Sequence, residues 1–92
     1  MNMTSDQLMS DLAGILRNFN GREYSGDIGP DTCFFGDLGL ASIDAVVLGE
    51  TLEDHYGRKV PFHLFMADLG RRSARDVRLG ELVAFLHQHL NG

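Results

Sequence analysis

The chain is poor in several things that would place it in a broad class. Its 92 residues include a single cysteine, Cys33, so no internal disulfide can form and no CxxC pair marks a zinc site. No Lys or Arg stands close to Cys33 in sequence to activate it, which makes it a buried or half-buried structural thiol. No apolar run approaches the length of a membrane span. The start, Met1 to Asp6, has neither the basic region nor the apolar run of a signal peptide. The expected setting is the cytoplasm, with no membrane partner. From Glu23 through Gly57 there is no Lys or Arg at all, against eight acidic residues. The rest of the chain holds five acids and eight bases, so within a net charge of -5 the middle carries -8 and the remainder +3. A phosphate backbone needs a basic face, so nucleic acid is excluded as a partner. An acidic field suits a basic protein partner. No segment of useful length alternates with the period of a strand, and there is no repeat or low-complexity tract.

What is present reads as helix. Thr4 with Gln7 fits a capping box. Leu8, Leu12, Ile15, Leu16 and Phe19 follow at helical spacing, and Asn20-Gly21 ends the first helix. Residues 20 to 41 read as a long loop, broken by Gly21, Gly26, Gly29, Pro30, Gly36 and Gly39. Cys33, Phe34, Phe35 and Leu38 are expected to pack part of it onto the core. A second helix is expected from Ser42 to Tyr56, stopped by Gly57. On a helical wheel Ala45, Val46, Gly49, Leu52 and Tyr56 fall on a core side. Asp44, Val47, Glu50, Thr51 and Asp54 fall on an exposed acidic side with Val47 as its apolar centre. Gly49 costs roughly 1 kcal/mol in a helix relative to Ala, a cost that close approach of another helix would explain. After the linker Arg58-Lys59-Val60-Pro61, a short helix is expected from Phe62 to Leu69, stopped by Gly70. A basic stretch follows, with Arg71, Arg72, Arg75 and Arg78. Its plain reading is a balance to the acidic half; a sharper one is selection of a partner or contact with a phosphate. Asp76 is the expected N-cap of the last helix, whose stripe is Leu79, Leu82, Val83, Leu86 and Leu90. The expected fold is all-α. It is a small four-helix bundle, three longer helices and one short, with a long loop between helices 1 and 2, forming a single domain over 1–92.

The segment Asp37-Leu38-Gly39-Leu40-Ala41-Ser42-Ile43-Asp44, the acidic helix after it, the Val60-Pro61 linker and Leu79-Gly80-Glu81-Leu82 together resemble an acyl carrier protein. The family pattern is roughly D-[LF]-G-x-D-S-[LI] with the serine at a helix start, then an I/V-P linker and a late V-x-[DE]-L element. The order of these elements matches along nearly the whole chain. Two positions depart from the pattern: Ala41 stands where aspartate usually precedes the serine, and Val47 stands where a glutamate is common. The stretch from Phe62 to Val77 is also longer than the usual linker.

That resemblance implies a carrier rather than an enzyme, with no catalytic residue and no metal site. It implies that Ser42 accepts a 4'-phosphopantetheine arm from coenzyme A, delivered by a separate Mg²⁺-dependent phosphopantetheinyl transferase. The arm's thiol would hold an acyl group as a thioester for acyl-loading, synthase or tailoring enzymes of fatty acid, polyketide or other secondary-metabolite pathways. Asp44, Val47, Glu50 and Asp54 are the expected partner face, and the expected state is a freestanding monomer. A phosphodiester suits a helix N-terminus, where N–H groups are unpaired and the dipole is positive. Ser42 alone could equally be an ordinary N-cap. A serine hydrolase is a poor alternative, because Gly39 to Asp44 is not a G-x-S-x-G elbow. His55, His63, His87 and His89 read as surface or packing residues, and Asp44, Glu50 and Asp54 as a solvated face rather than a metal site. Two readings stand beside the acyl carrier. One is a peptidyl carrier, although Leu38-Gly39-Leu40-Ala41-Ser42 does not match L-G-G-[HD]-S. The other is an unmodified carrier-like interaction module, which Ala41 favours.

Overall fold

Periodicity and capping account for most of the backbone. The computed structural model describes residues 3–19, 21–73 and 75–91, with the side chain of Asn91 outside the description. Among these residues four helices appear: α1 (Ser5–Arg17), α2 (Ser42–Tyr56), α3 (Phe62–Arg71) and α4 (Leu79–Asn91). The fold class is the all-α four-helix arrangement expected from the sequence. Thr4 caps α1, its hydroxyl accepting the Gln7 N–H at 3.1 Å. Gly57 ends α2 in the left-handed region at φ 65°, donating its N–H to the Glu53 carbonyl.

The core forms where the apolar stripes of α1 and α4 meet, and the α2 and α3 stripes close over it. Leu8, Leu12 and Leu16 of α1 are buried, as are all five stripe residues of α4. Phe34 from the first loop is buried among them, with Phe35 and Leu38 packed against the cluster. Phe62, Phe65 and Phe85 form an aromatic group joining α3 to α4, with ring centroids 5.1 to 6.3 Å apart. The Phe62 side chain lies so close over Gly49 that a Cβ there would meet it at 3.0 Å, which accounts for a glycine inside α2. Tyr56 donates its hydroxyl to Asp11 at 2.9 Å and so ties α2 to α1. Burial, with that bond and the Asp11 charge, pushes the Tyr56 hydroxyl pKa well above its usual value.

Several local expectations are corrected. The first loop contains a short antiparallel hairpin, β1 (Asn18–Phe19) with β2 (Arg22–Glu23), pairing Asn18 with Glu23 and Phe19 with Arg22. Asn20, expected to end α1, lies outside the described residues; α1 itself stops at Arg17. Helix α3 runs to Arg71, past Gly70, because the Asp68 carbonyl goes on to accept the Arg72 N–H. Asp76 does not cap α4. Its carboxylate accepts the N–H groups of Phe35, Gly36 and Val77 at 2.8 to 2.9 Å, and so pins the first loop to the segment before α4.

The core face of α2 is rotated from the expected one. Asp44, Ala45, Leu48, Gly49 and Leu52 are buried, which centres the buried arc on Leu48 and Leu52. Val46, expected inside, is therefore 49% exposed. Asp44, expected outside, is 6% exposed, and Val47 is half-buried against the core.

Candidate functional site

The site is built on the junction between the first loop and α2. The second half of that loop is folded on itself. Asp37 and Leu38 donate their N–H groups to the Cys33 carbonyl at 3.1 Å, and Gly39 donates to Phe35 at 3.0 Å. The Asp37 carboxylate in turn accepts the Cys33 N–H at 2.8 Å. Phe34 N–H reaches the Val77 carbonyl at 2.9 Å, and Leu79 and Gly80 donate back to Thr32 and Pro30. An isolated antiparallel bridge between Cys33 and Arg78 completes this seam. Burial alone would raise the Asp76 carboxyl, but its bonds from Phe35, Val77 and Gly36 outweigh that and hold it below the usual carboxylate range.

Gly39 turns the chain with φ +68°, a conformation that favours glycine. Its carbonyl accepts the Arg22 guanidinium at 2.7 Å. Leu40 is buried, and the backbone then emerges at Ala41, Ser42 and Ile43, all exposed.

Ser42 is the first residue of α2, and Ala41 is the N-cap. The alanine has no side-chain acceptor for the first-turn amides. Half of the capping exchange survives in reverse, because the Asp44 carboxylate accepts the Ala41 N–H at 2.7 Å. The plain alternative, Ser42 as an ordinary N-cap, does not hold, because the cap position is Ala41. The Ser42 side chain is left at the surface, at the positive end of the helix dipole. These features fit a phosphodiester: an open hydroxyl, small neighbours at Gly39 and Ala41, and a helix start beneath.

The four expected partner-face residues are not brought together as one exposed set. Glu50 and Asp54 are exposed, Val47 is half-buried and Asp44 is turned inward to the N-cap amide. The apolar residues actually presented beside Ser42 are Ile43, 67% exposed, and Val46, with Leu64 of α3 also 52% exposed. Positions 43, 46, 50 and 54 share one arc of α2, apolar at the Ser42 end and acidic beyond. Sequence reasoning missed Ile43 and Val46. A wheel centred on Leu48, which the core set omitted, would have found both.

Several of the remaining candidates have partners within the fold. Burial, then the Asp76 and Asp37 charges, raise the Cys33 thiol pKa, with Arg78 opposing weakly. Arg71 and Arg72 pair with Asp68 at 3.2 and 2.9 Å, so part of the basic stretch is neutralised locally. Ala74 of that stretch lies outside the described residues. Arg58 donates to the Leu90 carbonyl at the end of α4, and Glu53 accepts the Val60 N–H at 2.9 Å. His55 lies 3.9 Å from Asp11, and His89 packs on Phe85. Among the described residues no group of three or more His, Cys, Asp or Glu could hold a metal, and no helix is long and apolar enough to cross a membrane.

A family model described as "Phosphopantetheine attachment site" matches residues 10–70, about two thirds of the chain. No curated protein and no solved structure gives a significant match. The family attaches 4'-phosphopantetheine covalently, and its carrier domains are in general non-catalytic.

Proposed function

The chain belongs to the phosphopantetheine-attachment family of carrier proteins, and we propose that it is an acyl carrier whose attachment point is Ser42. The observation that supports this most is the exposed Ser42 side chain at the start of α2, on a loop held from both sides, within the matched span. Residues 1–92 are read as one carrier domain. Once attached, the arm supplies a thiol that holds cargo as a thioester.

This chain's own residues have three tasks. The Ser42 hydroxyl is the acceptor: its oxygen forms the new phosphodiester as the pyrophosphate bond of coenzyme A breaks, 3',5'-adenosine bisphosphate leaves, and the hydroxyl proton passes to the transferase's base. Gly39 and the Asp44–Ala41 bond hold the loop–helix junction in one geometry. Ile43, Val46, Glu50 and Asp54 form the surface offered to partners, with apolar contact next to the serine and acidic steering further along α2. Family carriers act with a phosphopantetheinyl transferase and biosynthetic enzymes; acyl-loading, synthase and tailoring enzymes of fatty acid, polyketide or related pathways are the partners proposed for this one.

Leu38-Gly39-Leu40-Ala41-Ser42 departs from the peptidyl-carrier pattern, which favours acyl over aminoacyl cargo. A second reading rests on Ala41: an N-cap without an acceptor departs from the usual motif and favours an unmodified interaction module. Incubation of the full chain with coenzyme A, Mg²⁺ and a broad-specificity transferase separates the two. An intact mass increased by one phosphopantetheinyl group supports the carrier. An unchanged mass supports the module.

A further inference from the structure

The hairpin that the sequence did not announce reaches the loop that leads to Ser42. Arg22, in β2, sends its guanidinium across to the Gly39 carbonyl, 17 residues away, at 2.7 Å. Gly39 also donates its N–H to Phe35 at 3.0 Å, so both of its backbone polar groups are held, one from each side. Earlier in this loop, anchors tie it to the segment before α4: Phe34 on Val77, and Phe35 and Gly36 on Asp76; after Gly39, Asp44 holds the Ala41 N–H. On the hairpin side packing is incomplete. An open crevice of about 310 Å³ lies there, lined by Phe19, Leu38 and Leu40 with Arg22 on its wall. The next backbone bond along, from Leu40 to Phe34, is long at 3.4 Å. Between those earlier anchors and the start of α2, the guanidinium bonds the hairpin to the turn.

We propose that Arg22 is a positioning residue for modification at Ser42, clasping Gly39 so that the serine is presented in one geometry to the transferase. The proposal rests on the Ser42 reading above. A charged donor on a carbonyl is a strong bond of its kind. The acceptor is three residues from Ser42, so looseness at Gly39 passes directly to the hydroxyl. A transferase must bring that oxygen in line with a phosphorus, and misplacement by about 1 Å is costly in rate. Arg22 acts through Gly39 and need not touch either reactant.

The test uses the full chain with Arg22→Ala and Arg22→Lys, a phosphopantetheinyl transferase and coenzyme A. Amide exchange is read at Gly39 and Leu40, with Leu86 in α4 as reference. Arg22→Ala should speed exchange at Gly39 and Leu40 about fivefold to tenfold, the worth of one partly exposed charged hydrogen bond, and leave Leu86 unchanged. It should lower kcat for modification several-fold without altering the KM for coenzyme A. Arg22→Lys, which keeps a donor, should restore most of both effects. A modified wild type with Arg22→Ala kinetics equal to it overturns the proposal alone. A fall in kcat with no change in exchange at Gly39 and Leu40 also overturns it, because that pattern belongs to direct contact between Arg22 and the transferase. A wild type that takes no group at Ser42 overturns the Ser42 reading and this proposal with it.

Discussion

Asp44 holds Ala41 across Ser42: its carboxylate accepts the Ala41 N–H at 2.7 Å, so the residue two places after the serine fixes the residue one place before it. The bond closes the first turn of α2 around the candidate attachment point. It also explains why an aspartate is buried at the head of a helix otherwise acidic on its outer face. Asp44→Ala should cost about 1–3 kcal/mol, because a charged acceptor is lost and a backbone donor is left without its partner. Asp44→Asn keeps an oxygen acceptor and should cost less. Urea denaturation of the two variants checks the order.

Ala41 leaves the N-cap without a side-chain acceptor. Ala41→Asp should therefore stabilise the fold by about 1 kcal/mol or somewhat less, the usual worth of a cap reduced by the nearby Asp44 charge. It also restores the acid that usually precedes the serine, so it should speed modification by a transferase of broad specificity. A shift in thermal midpoint and a modification rate measure the two effects separately.

Asp76 predicts an acid-sensitive link between the first loop and α4. Its folded pKa is lowered by the bonds from Phe35, Val77 and Gly36 acting against burial. A lowered carboxyl contributes stability that is fully present above its unfolded value, ordinarily about 4, and is lost as pH falls through the folded value. Asp76→Ala should then destabilise clearly at pH 7 and much less near pH 2. Equal destabilisation at both pH values would show that the carboxylate's charge contributes nothing.

On the face of α2, Glu50 and Asp54 are exposed beyond the apolar pair Ile43 and Val46. Reversing Glu50 and Asp54 to Lys should slow capture by a basic partner, with the deficit shrinking at high salt. Val46→Glu should weaken the complex itself while leaving stability nearly unchanged. Val47→Glu should also destabilise the fold, since Val47 packs on the core. Association and dissociation rates for the three variants, taken with their melting curves, distinguish these roles.

Helices α1 and α4 were legible because their leucines recur at helical spacing, and α2 because it opens after the serine motif and stops at Gly57. The hairpin was not, since two residues per strand show no period-2 pattern. The placement of Asp44 was missed because a charge is read outward by default, while its partner was a main-chain amide that no side-chain pattern reveals. Asp76 was read as a local cap from its place before Leu79. Two of its three partners, Phe35 and Gly36, are some 40 residues back, and sequence distance hides them. The serine's motif was legible at once, but the clasp by Arg22 was not, because it depends on the unannounced hairpin.

Exposure by itself does not choose among the serines. Ser5, Ser10, Ser25, Ser42 and Ser73 are all exposed, and Ser5 also opens a helix directly after its N-cap. Ser5 and Ser73 lie outside the family match, and of the three serines within it Ser42 is the one that opens a helix after the clasped loop. The most direct measurement is peptide-level mass mapping of the full chain after reaction with coenzyme A and a phosphopantetheinyl transferase, with Ser42→Ala in parallel. The account predicts one phosphopantetheinyl group, on Ser42, and none on the Ala variant, which should fold normally because Ala41 and not Ser42 is the cap. A group on Ser5, Ser10, Ser25 or Ser73, or a variant modified as fully as the native chain, would contradict it.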